Sequence, residues 1–290
     1  MGTLILQAVL YGLVTGSVYA LVALGYSLIF GVLRFINFAH GEMMTLGAYV
    51  TIVLVSANVP LLWAALAAIV LVALFGMAIE RVVYRPLRGM SGAAPLLTAI
   101  GLSVLLQNAM ALAFGNNPRA FSSSLSDTSV RLLGLSLTPL HVAIPLVVAA
   151  VMLVLLVVFK RTTIGRFVRA SADNPQLAAA LGFDVNRASS FTFLLSSGLA
   201  ALAGIMVAMD VHIMMPNTGF SFGIKAFIAT VLGGIGSIPG AVIGGLALGV
   251  IENLGFLALP SKDAVAFIVL ILVLLIRPAG LLKVFPAERV

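Results

Sequence analysis

The chain has no cysteine, a single tryptophan and few charges: only 9% of its 290 residues are Asp, Glu, Lys or Arg. Without cysteine there is no disulfide framework and no thiolate metal site, and redox chemistry says nothing about compartment. An ordinary soluble domain carries about 25% charged residues. Set beside a hydrophobic content of 62%, the shortage excludes an aqueous globule. A nucleotide-cradling Gly-x-x-x-x-Gly-Lys-Ser/Thr loop is also missing, because Gly233-Gly234-Ile235-Gly236 lacks the lysine that would reach phosphates. The chain is therefore not read as an ATPase, and no paired constellation marks it as an intramembrane enzyme.

What is present is a succession of apolar runs, each able to cross roughly 30 Å of hydrocarbon as a helix. The runs are continuous rather than alternating, which selects an all-α bundle over a barrel. They fall near residues 4–31, 41–58, 61–79, 95–114, 140–159, 190–209, 222–236, 239–257 and 264–276. Eight or nine crossings are expected within one domain over 1–290, with the Gly-rich stretch 222–257 read either as two crossings or as a broken, re-entrant element. The first run starts without a positive n-region and continues past Leu28, so it is expected to remain as an anchor. Gly12/Gly16, Gly240/Gly244 and Gly245/Gly249 have the spacing that lets helix backbones approach closely. No internal repeat is evident.

The formal charge of +7 comes from an uneven distribution. Arg34 follows the first run, Arg81, Arg85 and Arg88 the third, and Lys160, Arg161, Arg166, Arg169 and Arg187 the fifth, while Arg277, Lys283 and Arg289 close the chain. The remaining connections hold only Arg119, Arg131 and Lys262. The positive-inside rule then puts the first group and the C-terminus in the cytoplasm and the N-terminus outside. The asymmetry accounts for the basic balance without nucleic acid.

The cytoplasmic connection 160–189 contains a complete short helix over 174–182. Asn174 or Asp173 can cap it, Pro175 suits its first position, and Gly182 fits a left-handed stop. So short a helix needs a partner surface, and Leu177, Ala178, Ala180 and Leu181 give it apolar side chains to bury. Two readings stand: a helix lying on its own bundle or on lipid headgroups, or one that docks into a cytoplasmic protein.

Polar residues in or near the runs are few, and each is costly if left facing lipid. Asn37, His40 and Glu42 cluster where the first two runs meet; they either cap the second helix or line a path. Lys225 either snorkels outward or lines the path. Glu252, beside Asn253, needs a partner, and Lys225 is the candidate by charge. Gln107 and Asn108 read as interhelical hydrogen-bond glue. Asp210 and His212 lie at the outer end of the sixth run, open to solvent or to a docking protein. Gly233 and Gly234 allow a tight turn, with Pro239 opening the next element.

Within the cytoplasmic connection, Gly165-Arg166, Arg169-Ala170, Asp173-Asn174, Ala178 and Leu181-Gly182 resemble the coupling loop of branched-chain amino acid ABC transporter permeases. Three other stretches match the same family in the same order. They are Asn37-Phe38-Ala39-His40-Gly41-Glu42, then Lys225-Ala226-Phe227 leading into Val231-Leu232-Gly233-Gly234-Ile235-Gly236-Ser237-Ile238-Pro239-Gly240, and Arg277-Pro278-Ala279-Gly280-Leu281. The resemblance spans essentially the whole chain and is to the smaller of two paired permeases. It implies a bacterial inner-membrane location, a second permease subunit, two cytoplasmic ATPases that hold ATP and Mg, and an extracytoplasmic solute-binding protein. No cofactor is expected on this chain. Branched-chain amino acids are implied as solute, although an apolar path would equally pass amides, urea or other amino acids. The alternative reading is a self-contained proton-coupled secondary transporter using Asp210, His212 or Glu252.

Overall fold

A computed structural model describes residues 2–90, 93–121, 130–132, 135–258, 261–277 and 280–282. Lys283 and Arg289, with Pro278 and Ala279 of the C-terminal motif, lie outside the described residues. Helices dominate, in the order α1 (Gly2–Leu33), α2 (His40–Ser56), α3 (Leu61–Ile79), α4 (Ala94–Phe114), α5 (Pro139–Arg161), α6 (Thr163–Asp173), α7 (Pro175–Ala180), α8 (Val185–Val211), α9 (Thr218–Gly233), α10 (Ile238–Gly255) and α11 (Lys262–Ile276). Two minimal antiparallel ribbons supplement the all-α expectation. β1 (Arg119–Ala120) pairs with β4 (Ile213–Met214), and β2 (Val130–Leu132) pairs with β3 (Leu135–Leu137).

Among the described residues six helices are long and apolar enough to span a membrane: α1, α3 with its extension to Leu87, α4, α5, α8 and α10. The other three apolar helices, α2, α9 and α11, have 17, 16 and 15 residues. At 1.5 Å per residue they reach only about 23–26 Å, short of the roughly 30 Å hydrocarbon layer. Nine apolar runs therefore do not translate into nine full-length spans. The exposed apolar surface is that of a lipid-immersed protein: Leu112 is 89% exposed, Leu275 76% and Leu146 64%.

The interior is built from α1, α2, α8, α9 and α10, and glycine is what lets them come together. α1 and α10 run antiparallel; a Cβ on Gly16 would lie 2.8 Å from Leu246 Cα, and one on Gly12 would lie 2.7 Å from Val250 Cα. Backbones at that distance leave no room for a side chain, so the expected Gly-based packing is real at this interface. α2 does the same against α8 at Gly47, where a Cβ would meet Ala201 Cα at 2.5 Å.

α2 does not begin level with the end of α1. The ring of His40 fills the space where a Gly25 side chain would be, and it packs edge-on to Tyr26 with centroids 4.8 Å apart. Since α1 continues from Gly25 to Leu33, residues 34–39 fold back past those eight residues, about 12 Å. α9 likewise starts inside the bundle, where Gly219 N donates to Thr45 Oγ1 at 2.7 Å.

Candidate functional site

At the arginine-rich end, α3 widens into a π-turn over Glu80–Tyr84 and then a 3-10 turn over Arg85–Leu87. A π-turn rotates the following side chains relative to an α-helix. Here it turns both Glu80 and Tyr84 inward. Glu80 is fully buried; its Oε2 accepts from Arg85 Nη2 at 2.9 Å and Ser190 Oγ at 2.7 Å, and its Oε1 accepts from Arg88 Nη2 at 2.5 Å. Arg88 Nη1 also donates to Asn186 Oδ1 at 2.6 Å, tying α3 to the start of α8. Burial draws the Arg88 guanidinium below its ordinary pKa, with Glu80 opposing. Tyr84 donates its hydroxyl to Asn37 Oδ1 at 2.6 Å.

The connection between α5 and α8 folds as two helices, whereas only the shorter one was foreseen. α6 is capped by Thr162, whose hydroxyl accepts from Gly165 N at 3.1 Å. Gly165 is pressed on the end of α5, since a Cβ there would lie 2.5 Å from the Phe159 and Val158 carbonyl oxygens. Arg169 donates to that same Phe159 carbonyl, and Arg34 donates to Ala172 O at 2.7 Å, so α6 is clamped to α5 and α1. In α7 the Asn174 Oδ1 accepts from Leu177 N at 2.9 Å, Pro175 opens the helix, and Gly182 adopts φ +82°. Ala178 is buried, but Leu177 is 58% exposed and Leu181 66%. Of the two readings of this helix, burial against its own bundle covers Ala178 but leaves both leucines uncovered by the chain. Asp173 is exposed beside them.

A second cluster joins α1, α9, α10 and α11. Lys225 Nζ lies 2.6 Å from Glu252 Oε1 and 2.7 Å from Asp263 Oδ1, and Tyr19 donates to Glu252 Oε2 at 2.7 Å. Lys225 thus turns toward Glu252 rather than outward. Asn253 receives Lys262 Nζ on its Oδ1 at 2.9 Å. A carboxylate deep in an apolar bundle is tolerable with this much compensation.

The third cluster holds Glu42. Glu42 stands in the first turn of α2, which begins after Ala39 with no side-chain cap, and it is fully buried between α2 and α4. Its Oε1 accepts from Ser103 Oγ and Gln107 Nε2, both at 2.9 Å. Asn37 does satisfy one free amide near the helix start, that of Ala39 at 3.1 Å, but His40 does not act as a cap. Of the glue pair, Gln107 bridges helices, whereas Asn108 donates to Val104 O of its own helix. Asp210 lies 3.3 Å from His141 Nε2, and His212 ends α8 in a left-handed conformation.

Gly233 and Gly234 form the turn between α9 and α10, with Gly234 at φ +107° and Gly236 at φ +86°. The C-terminal segment closes on this turn: Leu281 N donates to Leu232 O at 2.8 Å and Leu282 N to Gly233 O at 3.1 Å. Gly280, at φ +74°, sits so close that a Cβ would lie 2.5 Å from Gly234 N.

Residues 8–275 match the family model described as branched-chain amino acid transport system / permease component. The chain belongs to this family. The high-affinity branched-chain amino acid transport system permease protein BraD of Pseudomonas aeruginosa is 40% identical over 98% of both chains. The corresponding permease protein LivH of Escherichia coli is 38% identical over 98% of this chain and 97% of its own. Three of the four family stretches identified in the sequence meet one another. The Leu232–Gly234 and Gly280–Leu281 stretches meet at the α9–α10 turn, while Gly41 packs against Gly223, with 3.1 Å between a Gly41 Cβ and Gly223 Cα, and Phe38 against Phe227 with ring centroids 5.8 Å apart. Sequence reasoning missed Glu80, Tyr19, Asp263 and Ser103. Glu80 stood beside Arg81 in a run of arginines read only as topology markers, and nothing local distinguishes it from a solvated charge.

Proposed function

We propose that this chain is a membrane-spanning permease subunit of an ABC importer, forming part of the path for branched-chain amino acids. It works with a second permease subunit, a paralogue in this reading, two cytoplasmic ATPases that bind ATP and Mg, and an extracytoplasmic binding protein that delivers solute. It sits in the bacterial inner membrane as one permease domain, with the arginine-rich end and the C-terminus in the cytoplasm. The short helices α2, α9 and α11 complete eight or nine crossings, α9 and α10 forming a bent Gly-rich pair at the cytoplasmic side.

The observation that carries the reading, beside family membership, is the α6–α7 connection. α6 is clamped to α1 and α5 through Arg34, Gly165 and Arg169, while α7 offers Leu177 and Leu181 with Asp173 beside them. A rigid stem with an unpartnered apolar tip suits a lever that an ATPase pushes; in this role Asp173, Asn174, Pro175, Ala178, Leu181 and Gly182 shape the tip. Lys225, Glu252 and Asn253 form a gating contact among α9, α10 and α11, and Asn37, His40, Glu42, Gly233 and Gly234 shape the path. Glu252 as a proton carrier in a self-contained transporter would have to abandon Lys225 and Tyr19 at each cycle, which disfavours that alternative.

Because the chain has no cysteine, one introduced thiol reports without background. A cysteine at Leu181 is expected to crosslink to the ATPase subunit in membranes, with a yield that changes between ATP-bound and nucleotide-free states. A cysteine at Leu275, exposed on α11, serves as the control. Equal yields at both positions, or none at Leu181 in an assembled complex, would contradict the docking role.

A further inference from the structure

Glu42 has an arrangement that the coupling scheme does not use. One oxygen is saturated by Ser103 and Gln107, whereas Oε2 is buried and has no partner among the described residues. Glu42 also lines a cavity of about 210 Å³ that is otherwise apolar, walled by Leu46, Phe75, Leu106, Met110 and Phe114. On its other side, Gln107 borders a separate depression of about 320 Å³ that carries the amides of Asn108, Asn116 and Asn217. Gln107 thus lines the amide-lined depression and donates to Glu42, which lines the apolar cavity.

A buried carboxylate with a free oxygen is a costly arrangement that a cationic donor relieves. An apolar cavity beside it cannot supply one. A side chain in the apolar cavity, an ammonium on the carboxylate and a carboxylate toward amide donors is the chemistry of a zwitterionic aliphatic amino acid. By the charge asymmetry, the Asn116 end of α4 faces away from the cytoplasm, so the amide-lined depression is on the delivery side. α4 is also thinly held, with only Ala99, Ser103 and Met110 buried, and it meets α2 through the Glu42 contacts and through Phe114, stacked on Tyr49 with ring centroids 4.7 Å apart.

We propose that Glu42 is the ammonium acceptor of a solute subsite between α2 and α4. The amide-lined depression forms its mouth, and the Leu46–Phe75–Met110 cavity takes the aliphatic side chain. The inference rests on the importer reading. The solute ammonium takes the free Oε2 while Ser103 and Gln107 keep Oε1, so the subsite fills without breaking the contact between α2 and α4.

The test uses the complete complex in proteoliposomes, with ATP and binding protein loaded with labelled leucine or valine. Glu42→Gln preserves an acceptor for Ser103 and Gln107 but removes the charge. It is expected to lower uptake of both solutes at least about tenfold, the loss anticipated for a desolvated charge-assisted contact, in complexes whose assembly is checked by co-purification of all subunits. Ala109→Leu, which fills the cavity from its wall, is expected to lower leucine uptake relative to valine at least about threefold. Wild-type uptake by Glu42→Gln overturns the proposal. So does an unchanged leucine-to-valine ratio in Ala109→Leu, which would leave Glu42 as interhelical glue. If the wild-type complex moves neither solute under ATP, the importer reading itself fails and the subsite falls with it.

Discussion

Lys225→Met isolates the energetics of the cluster at α9, α10 and α11. Lys225 is the only cation within ion-pair distance of Glu252 among the described residues, at 2.6 Å, and the side chains are 15% and 1% exposed. Removing the lysine leaves a buried carboxylate with one hydrogen bond, from Tyr19. Breaking one side of a buried pair costs about 3–5 kcal/mol; with the tyrosine contact retained, the lower end, about 3 kcal/mol, is expected. Asp263 adds little, since at 67% exposure it stays solvated when Lys225 is lost. Glu252→Gln alone leaves the lysine with Asp263 and is expected to cost about 1–2 kcal/mol. The double variant strands neither charge, so it is expected to lie within about 1 kcal/mol of wild type. Unfolding of the purified protein in detergent, followed by helical circular dichroism through the four corners of the cycle, measures the coupling. An interaction of about 2 kcal/mol or more supports the account; additivity within about 0.5 kcal/mol, the behaviour of independent sites, would refute it.

Other variants probe the remaining elements. Leu177→Asp with Leu181→Asp is expected to shift the chain's own unfolding by less than about 0.5 kcal/mol, as for exposed positions, while abolishing co-purification of the ATPases. Gly16→Val puts a branched side chain against the α10 backbone, where a Cβ alone would lie 2.8 Å from Leu246 Cα. It is expected to cost about 1–3 kcal/mol in the same unfolding assay. Glu80→Ala is expected to cost about 2 kcal/mol, below the full penalty of a stranded pair because Arg85 and Arg88 are 34% and 23% exposed and can turn to water. A detectable recovery in Glu80→Gln, which keeps the Ser190 hydrogen bond, would confirm that hydrogen bonding as well as charge holds this corner.

The helices were legible because lipid imposes one rule on every spanning segment. Observed ends lie within about five residues of the hydropathy runs, as in α3, Leu61–Ile79, and α4, Ala94–Phe114. The cap of α7 was legible for a local reason: Asn174, Pro175 and Gly182 each carry their meaning within one turn. α6 was not, since it buries only Gly165, Val168 and Ser171 and so carries no apolar run. Lys225 and Glu252 could be paired by charge scarcity alone, because few opposite charges exist to choose between. Glu42 was placed only in part. It does stand in the first turn of α2, as its position beside His40 suggested, but folding back of residues 34–39 carries that turn into the bundle and against Ser103 and Gln107. The depth at which a helix begins is set by tertiary packing, such as the His40 ring in the Gly25 gap, and hydropathy is blind to it.

The central claim is that this chain conducts branched-chain amino acids only as part of an ATP-driven assembly. Labelled leucine uptake into proteoliposomes tests it most directly, comparing this chain alone under an imposed pH gradient with the complex of both permeases, the ATPases and the loaded binding protein. The account requires no uptake by the chain alone and ATP-dependent uptake by the complex, lost when Asp173, Asn174 and Pro175 are replaced together. Uptake by the chain alone, driven by the gradient, would contradict it.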